Sequence, residues 1–232
     1  MNGALSKELE ALIMSQERSE IKCGKYLSYV WSKLIFGFRP INLIDLKEQY
    51  RGNLGDCDII IIAKVSDGSR ECNKAFFWEL KAPQCYIFKT DESNKNRLKP
   101  SQELTDAENK LLYYYYEHRD DHLFHRRYNL RKDDDVYLGG IIIGRSDKKV
   151  KDGIEEEEKE RLYQEALDVK QILYERRGMR LMIWNEIQSF LEAVEKPKME
   201  IPLIQEYPSI ELSMDRIPEN AIVDVEEYVQ RK

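Results

Sequence analysis

The sequence contains no apolar run long enough to cross a membrane and no closely spaced pair of cysteines. No apolar stretch approaches the roughly 18 residues that a spanning helix needs. The N-terminal segment carries acids among its apolar residues, which is not the pattern of a signal peptide. The four cysteines show no CxxC spacing, so neither a zinc knuckle nor a disulfide framework is indicated. We therefore expect a cytoplasmic protein with free thiols and no membrane segment.

A surplus of positive charge is also missing. The formal net charge is −6, which argues against a protein that coats nucleic acid non-specifically, because phosphate binding needs local positive charge. The basic residues are nevertheless clustered, and a basic groove on an acidic body is compatible with the composition. The three basic clusters lie at residues 125–132, 144–151 and 175–180.

The chain length of 232 residues suits one domain with additions better than two full domains. We expect a helical segment over residues 1–38 that packs on the core, a core domain over residues 39–195, and an extended arm over residues 196–232. Prolines interrupt regular structure in this arm, at positions 197, 202, 208 and 218.

The order of apolar patterns predicts an α/β fold with a mixed sheet and flanking helices. Two buried strands are predicted at "CDIIIIAKV" and "KAFFWELKA", on either side of the turn "SDGSRECN". The preceding "INLIDLKEQY" is an ambiguous short strand, and "KTDESNKNRLKP" is predicted to be a polar loop. The whole order is helix, three strands, one long helix and a strand, followed by a helix, a short strand and a helix.

Residue spacing also predicts helix ends and one helix face. The long helix over residues 101–128 has a capping-box pair, Thr105 and Glu108, near its start, with Ser101 as an alternative cap. Asn185 is the predicted cap of the last helix. The helix after the "EEEE" run has an apolar face that consists of Leu162, Ala166, Val169 and Leu173.

All three histidines, His118, His122 and His125, fall within the predicted long helix. Their spacing places them on one helix face, where they could hold a metal. They also continue an apolar stripe, so packing and hydrogen bonding along the helix are the favoured interpretation.

Glu79 and Lys81 are charged residues in an otherwise apolar strand. Residues two apart in a strand point the same way, so these two share a face. Neither charge can be buried alone without a large cost, and Asp58, at the start of the isoleucine strand, is the expected partner. Asp56 would share its face and is the rival aspartate. The alternative is a surface ion pair that contributes under about 1 kcal/mol, but the apolar flanks argue against it.

Two carboxylates from neighbouring strands make an oxygen-rich site suited to Mg²⁺ or Mn²⁺. A lysine ammonium beside such a site can orient or deprotonate a metal-activated water, and the metal stabilises charge on a scissile phosphate. The pattern is that of a phosphodiesterase site in outline.

Asp58, the "ELK" run at residues 79–81, Pro83 after it and the surrounding order of elements resemble the PD-(D/E)XK nuclease superfamily. Within it, the chain is most similar to the nuclease domain of Shedu anti-phage defence proteins, over roughly residues 40–195. Three further segments resemble the later helices and strands of that domain: "LTDAENKLLYYY", "LGGIIIGRS" and "MRLMIWNEIQSFLEAV".

The resemblance implies a restriction-endonuclease-like fold and a Mg²⁺- or Mn²⁺-dependent DNA endonuclease. It implies Asp58, Glu79 and the backbone carbonyl of Leu80 as metal ligands, and Lys81 as the group that assists the attacking water. Further residues are candidates by position in the family motifs. Substrate placement would fall to Asn109, which stands where the family has glutamine, and to Tyr113, while the first-helix acid would be Glu20 or Glu17.

Further expectations concern nucleic acid contacts and assembly. Arg126, Arg127 and Arg145 are candidates for phosphate contacts, with surface solubility as an equal alternative. We expect a homodimer or larger even oligomer, because one active site cuts one strand. We expect no counterpart of the separate N-terminal domain of many Shedu proteins, so that target sensing would differ or lie in a partner protein. The alternatives to an enzyme are a silent nuclease-fold module that binds DNA or assembles with a partner, and a structural α/β protein.

Overall fold

A computed structural model of the chain describes residues 3–16, 18, 20–53, 55–131, 135–151 and 154–195. These residues all lie in one compact unit. The predicted arm over residues 196–232 and the candidate Glu17 lie outside the described residues. In the part of the chain that is described, no helix is both long enough and apolar enough to cross a membrane.

The described residues form seven α-helices and seven strands. The helices are α1 (Ala4–Met14), α2 (Glu20–Gly24), α3 (Leu27–Leu34), α4 (Gln102–Arg119), α5 (His122–Tyr128), α6 (Glu156–Glu175) and α7 (Trp184–Glu195). The strands are β1 (Arg39–Gly52), β2 (Gly55–Ser66), β3 (Glu71–Leu80), β4 (Phe88–Asp91), β5 (Asn94–Pro100), β6 (Val136–Ile142) and β7 (Arg180–Met182).

Five of the strands form one mixed sheet in the order β1, β2, β3, β6, β7. β1, β2 and β3 pair antiparallel, whereas β6 runs parallel to β3 and β7 runs parallel to β6. Parallel neighbours require a crossover, which α4 and α5 supply before β6 and α6 supplies before β7. The predicted α/β class with a mixed sheet is confirmed, and so is the predicted order of its main elements.

The central strands are apolar on both faces because helices cover both sides of the sheet. Ile60 and Ile62 pack into a core with residues of α4, α5 and α6. Ile59 and Ile61 pack into a second core with residues of α1, α2, α3 and α7. The N-terminal helices therefore share the second core with the sheet. The four cysteines carry free thiols and are all buried, at positions 23, 57, 72 and 85.

The first and last helices of the described unit meet. The backbone N–H groups of Leu5 and Ser6, at the start of α1, donate to the carboxylate of Glu195 at 2.8 and 3.2 Å. The residue before α1, Gly3, provides no side-chain cap. Glu195, at the end of α7, thus accepts from backbone donors that a helix start leaves unpaired.

One prediction about the strands is wrong, and a second is right about the strand but not about its length. The segment predicted as a polar loop forms the β4–β5 hairpin. At its corner the Asp91 carboxylate accepts from Ser93 at 2.8 Å and pairs with Arg97, so polar contacts support a turn that apolar periodicity does not reveal. The ambiguous short strand is the 14-residue edge strand β1.

The predicted long helix is two helices. α4 ends at Arg119, and Asp121 caps α5 by accepting from the backbone N–H of Leu123 at 2.8 Å. At the start of α4, Ser101 rather than Thr105 is the cap, because its hydroxyl accepts from the backbone N–H of Leu104 at 3.0 Å. Dividing the helix breaks the regular spacing on which the single face of histidines depended.

Asn185 does not cap α7, because that helix begins at Trp184 and the Asn185 side chain accepts from the backbone N–H of Ser146. The predicted apolar face of α6 is also only partly correct. Val169 and Leu173 are exposed. Leu162 and Ala166 pack on the core as predicted, and Tyr163, Leu167 and Tyr174 pack there as well. Lys170 lies on the same side, and its ammonium pairs with Glu108. Because Lys170 is charged, a search for apolar spacing does not identify this face of α6 as buried.

Candidate functional site

Asp58 and Glu79 are neighbours at the adjoining ends of β2 and β3. Ile59 pairs with Trp78 in the antiparallel register, so Asp58 and Glu79 are the next residues along the two strands. The Oδ2 atom of Asp58 accepts a hydrogen bond of 2.8 Å from the backbone N–H of Leu80. The Asp58 carboxylate therefore lies against the main chain of the E-x-K segment.

Lys81 is the first residue beyond β3, and its side chain turns back to Glu79. The Nζ atom lies 2.9 Å from Glu79 Oε1. The Glu79 side chain is fully buried and that of Lys81 is 16% exposed. The prediction that these two charges share one side is confirmed, and the alternative of a surface ion pair does not describe them.

Neighbouring elements fix the main chain of Lys81 on both sides. Its N–H donates to the carbonyl of Ile142, at the end of β6, at 2.9 Å. Its carbonyl accepts from the indole Nε1 of Trp184, at the start of α7, at 2.7 Å. The position of the Lys81 side chain therefore depends on elements that follow it by many residues in the sequence.

Lys110 is a site residue that the sequence did not reveal. It projects from α4, and its Nζ lies 3.2 Å from Glu79 Oε1, with half of the side chain exposed. One turn further along α4, the hydroxyl of Tyr114 donates to the main-chain carbonyl of Asp56. The only sequence signal was the position of Lys110 beside the buried stripe that includes Leu111.

Burial and neighbouring charges shift the ionisation of the acid and the base. Burial, reinforced by the Asp58 charge, raises the pKa of Glu79 to about 7, although Lys81 and Lys110 oppose the shift. Burial alone would lower the pKa of Lys81, but the Glu79 and Asp58 carboxylates outweigh it and hold this pKa above its usual value. Lys81 is therefore an ammonium at neutral pH, and Glu79 is close to its titration point.

One oxygen of Glu79 is left open to a further partner. Glu79 Oε2 is buried and has no hydrogen-bond partner among the described residues, which is a costly state for a carboxylate oxygen. A proton or a cation would satisfy it. Asp58, Leu80 and Glu20 also line one small pocket of about 60 Å³.

The described residues contain no group of three or more His, Cys, Asp or Glu side chains arranged to hold a metal. Mg²⁺ is commonly bound through one or two carboxylates, with water and substrate phosphate completing its shell. Asp58 and Glu79 match that type of donor set.

The other predicted acids occupy different positions. The Asp56 side chain is half exposed and lies 3.5 Å from Arg51. Asp58, rather than Asp56, is therefore the aspartate that contacts the E-x-K segment. Glu20, the first residue of α2, lines the same pocket as Asp58.

The two residues of α4 that were predicted to place the substrate do not both point toward Glu79. Asn109 is exposed and lines a groove beside α6 with Leu173 and Arg177. Tyr113 is 60% exposed and lies one turn along α4 from Lys110. The α4 side chain that contacts Glu79 is Lys110.

The three candidate arginines divide into two kinds. Arg126 and Arg127 are exposed on α5, with the Arg127 guanidinium 6.0 Å from the ring centroid of Tyr50. Arg145 is buried and donates to the carbonyl of Ile13, near the end of α1, at 2.6 Å, while it also pairs with Asp147. The structure thus uses Arg145 to hold α1.

The histidines do not form a cluster. His118 is buried and stacks on the rings of Phe77 and Phe124, with centroid distances of 5.4 and 4.7 Å. Burial lowers the pKa of His118. His125 lies 3.2 Å from the main-chain carbonyl of His118, and His122 is exposed. The packing interpretation is confirmed for His118.

Comparison of the chain with models of known protein families gives no match, and comparison with curated proteins gives none either. The geometry around Asp58, Glu79 and Lys81 is therefore the main structural guide to a function.

Proposed function

We propose that this chain is a Mg²⁺- or Mn²⁺-dependent endonuclease of the PD-(D/E)XK type that hydrolyses phosphodiester bonds in DNA. The observation that carries the proposal is the meeting of Asp58 and Glu79 at the ends of neighbouring strands, with the Lys81 ammonium 2.9 Å from Glu79. A buried acid and base at such a point are costly, and a catalytic role gives a reason for keeping them.

The arrangement of the main elements supports a restriction-endonuclease-like fold. In that fold a helix precedes three strands, and a crossover helix leads to a fourth strand, as the resemblance implies. Here α3 precedes β1, β2 and β3, and α4 and α5 lead to β6, parallel to β3. The β4–β5 hairpin is an addition between β3 and α4.

In the proposed mechanism, Asp58 and Glu79 would hold the divalent cation, with the Leu80 carbonyl as a third donor. The cation, when bound, supplies Lewis acidity and a more acidic water. Asp58 is already oriented, because the Leu80 N–H binds one of its oxygens. The unpartnered Oε2 of Glu79 is the other oxygen that such a site needs.

Lys81 acts as a positively charged donor in this proposal. The surrounding carboxylates hold its pKa above the usual value despite burial, so its amine keeps its proton. It would orient the attacking water or stabilise the negative charge that develops on the phosphate.

Cleavage of supercoiled plasmid tests the proposal. The purified protein should nick or cut DNA with Mg²⁺ or Mn²⁺ and stop when a chelator is added. Asp58→Asn and Glu79→Gln should abolish cleavage and also abolish stabilisation of the fold by Mn²⁺ in a thermal unfolding assay. Asp56→Asn is the matched control and should retain both properties. Equal loss in Asp56→Asn and Asp58→Asn, or cleavage that survives both substitutions, would contradict the assignment.

A second candidate is a nuclease-fold module that binds DNA or assembles with a partner without chemistry. It is favoured by the two lysines that already occupy Glu79 Oε1. DNA binding without cleavage and without any response to Mn²⁺ would select this candidate.

We further propose that the protein works in the cytoplasm in defence against phage, as the resemblance implies. The four buried free thiols suit a reducing compartment. A double-strand break would need two copies, so a homodimer or larger even oligomer is part of the proposal. The proposal also includes a separate partner protein that senses the target.

A further inference from the structure

We propose that Lys110 is a substrate-binding lysine, which Glu79 holds until a divalent cation uses that carboxylate and which then contacts the substrate phosphate. The inference deepens the proposed function and rests on it. It assigns to Lys110 a role that links the cation and the nucleic acid.

The starting observation is that two ammonium groups share one carboxylate oxygen. Lys81 Nζ and Lys110 Nζ lie 2.9 and 3.2 Å from the same Oε1 of Glu79. Glu79 carries at most one negative charge, and two ammonium groups contact it. The second ammonium is stabilised only while Glu79 binds no other cation. A divalent cation at Glu79 would repel it, because like charges that are partly shielded from water repel strongly.

The two lysines differ in their freedom to move. The main chain of Lys81 is hydrogen-bonded to Ile142 and Trp184, and its side chain is 16% exposed. The side chain of Lys110 is 50% exposed and reaches Glu79 from the surface of α4. If Glu79 becomes a ligand, Lys110 is therefore the lysine that leaves, because its four-carbon chain can turn into solvent at little cost.

A phosphate is the natural new partner for Lys110. Asp58, the other acid of the proposed site, would be engaged by the same cation. A nucleic acid whose phosphate binds the cation brings negative charge close to Lys110, which has just lost its carboxylate partner. Lysine binds phosphate as a mobile point charge. Tyr113, exposed one turn along α4, would border the same strand of nucleic acid.

This exchange predicts an order of binding. Before a cation arrives, Lys110 is neutralised by Glu79 and adds little to DNA affinity. Afterwards Lys110 adds a charge-assisted contact. The contribution of Lys110 to DNA binding should therefore depend on the cation, whereas an ordinary surface lysine contributes with or without it.

Lys110→Met tests the idea, and Lys64→Met is the matched control. Lys64 is 43% exposed and pairs with one carboxylate, that of Glu71, near the opposite end of β2. Two quantities are measured for each purified variant. The first is the Mn²⁺ concentration at half-maximal thermal stabilisation, and the second is the affinity for a fluorescent DNA duplex with Ca²⁺ or with EDTA, after checking that the DNA stays intact.

The expected result has two parts. For Lys110→Met, the Mn²⁺ concentration at half-maximal thermal stabilisation should be about two- to fivefold lower than for wild type, because a competing half-exposed ammonium is gone. It should lose about tenfold in DNA affinity with Ca²⁺ but be close to wild type in EDTA. Lys64→Met should match wild type in the response to Mn²⁺ and show the same change in DNA affinity in both buffers.

Other outcomes overturn the proposal in distinguishable ways. If Lys110→Met weakens the response to Mn²⁺, its role is to position Glu79. If it weakens DNA binding equally in both buffers, it is an ordinary surface contact. Either result leaves the proposed nuclease in place. If the wild-type protein itself shows no response to Mn²⁺, the role of Lys110 and the proposed function both fail.

Discussion

The indole N–H of Trp184 donates a 2.7 Å hydrogen bond to the main-chain carbonyl of Lys81, so the first residue of α7 holds the lysine of the candidate site. Trp184→Phe keeps an aromatic ring but leaves this carbonyl without its donor. We expect a loss of about 1–3 kcal/mol in the free energy of unfolding and about a tenfold lower cleavage rate, because a small displacement of a reacting group is costly.

Urea unfolding and single-turnover cleavage measure these two effects. Trp31→Phe is the matched control, since Trp31 is half-buried in α3 and packs on the same core. It should lose stability without a comparable loss of rate. Equal rates in the two variants, after correction for the folded fraction, would show that the bond to Lys81 has no part in activity.

Arg145 is expected to matter for stability rather than for nucleic acid binding. Its guanidinium is buried and binds the carbonyl of Ile13 near the end of α1. Arg145→Met should lower the free energy of unfolding by about 2–3 kcal/mol, because a charged donor to a buried carbonyl is removed. The exposed Arg126 is the comparison, and Arg126→Met should leave stability within about 0.5 kcal/mol. A stable Arg145→Met protein with weakened DNA binding would instead support the phosphate contact suggested by the sequence.

His118 should make the fold less stable in mild acid. Burial lowers its pKa in the folded protein below the value of about 6.5 expected when unfolded. The unfolded chain therefore takes up the proton first. The stability that the neutral ring contributes is present above about pH 6.5 and is lost as the pH falls below it.

Urea unfolding between about pH 7.5 and pH 5 tests this behaviour of His118. His118→Phe, which keeps the stacking on Phe77 and Phe124, should lose less stability over that range than the wild-type protein. The exposed His122 supplies the control, and His122→Gln should follow the wild-type curve. Parallel curves for His118→Phe and the wild-type protein would mean that His118 is not the sensitive group.

A buried ion pair on β3 should be far more sensitive to mutation than an exposed pair. Lys74 Nζ lies 2.6 Å from Asp135, and both side chains are at most 4% exposed. Lys74→Met leaves a buried carboxylate uncompensated and should cost about 3–5 kcal/mol. Lys64→Met, which breaks an exposed pair with Glu71, should cost under about 1 kcal/mol.

Chemical unfolding of the two single variants, and of Lys74→Met combined with Asp135→Leu, completes the comparison. The double variant should recover part of the stability, because it no longer buries a lone charge. A double variant that is less stable than Lys74→Met would show that the Asp135 contacts, including its acceptance from the backbone N–H of Arg131 at 2.7 Å, outweigh the ion pair.

The sequence predicted the centre of the sheet well, because its signal is local. Strands β2 and β3 are apolar on both faces, so a run of consecutive apolar residues is enough to predict that they are buried. The β4–β5 hairpin was missed because Asp91 stabilises it through polar contacts. The buried face of α6 was misplaced because Lys170 belongs to it and reaches Glu108 on a different helix.

The candidate site divides in the same way. Asp58 lies in β2, Glu79 lies in β3 and Lys81 directly follows β3. The two-residue period of a strand and the pairing of neighbouring strands were therefore enough to bring them together. Lys110 reaches Glu79 from a helix that crosses over the sheet, and its contact depends on how α4 packs. For Arg145 the sequence suggested a phosphate contact or a surface position, whereas the end of α1 supplies a main-chain acceptor for the buried guanidinium.

The contact of Glu195 with the start of α1 brings the two ends of the described unit together. The chain enters and leaves it at one place, since Leu5 and Ser6 donate to the last residue of α7. Units whose ends lie together tolerate circular permutation and insertion into other proteins. A permuted chain that joins these ends through a short linker and opens at the β4–β5 hairpin should keep the strand order of the sheet. The unit is therefore suited to transplantation into a surface loop of a host protein as a single module.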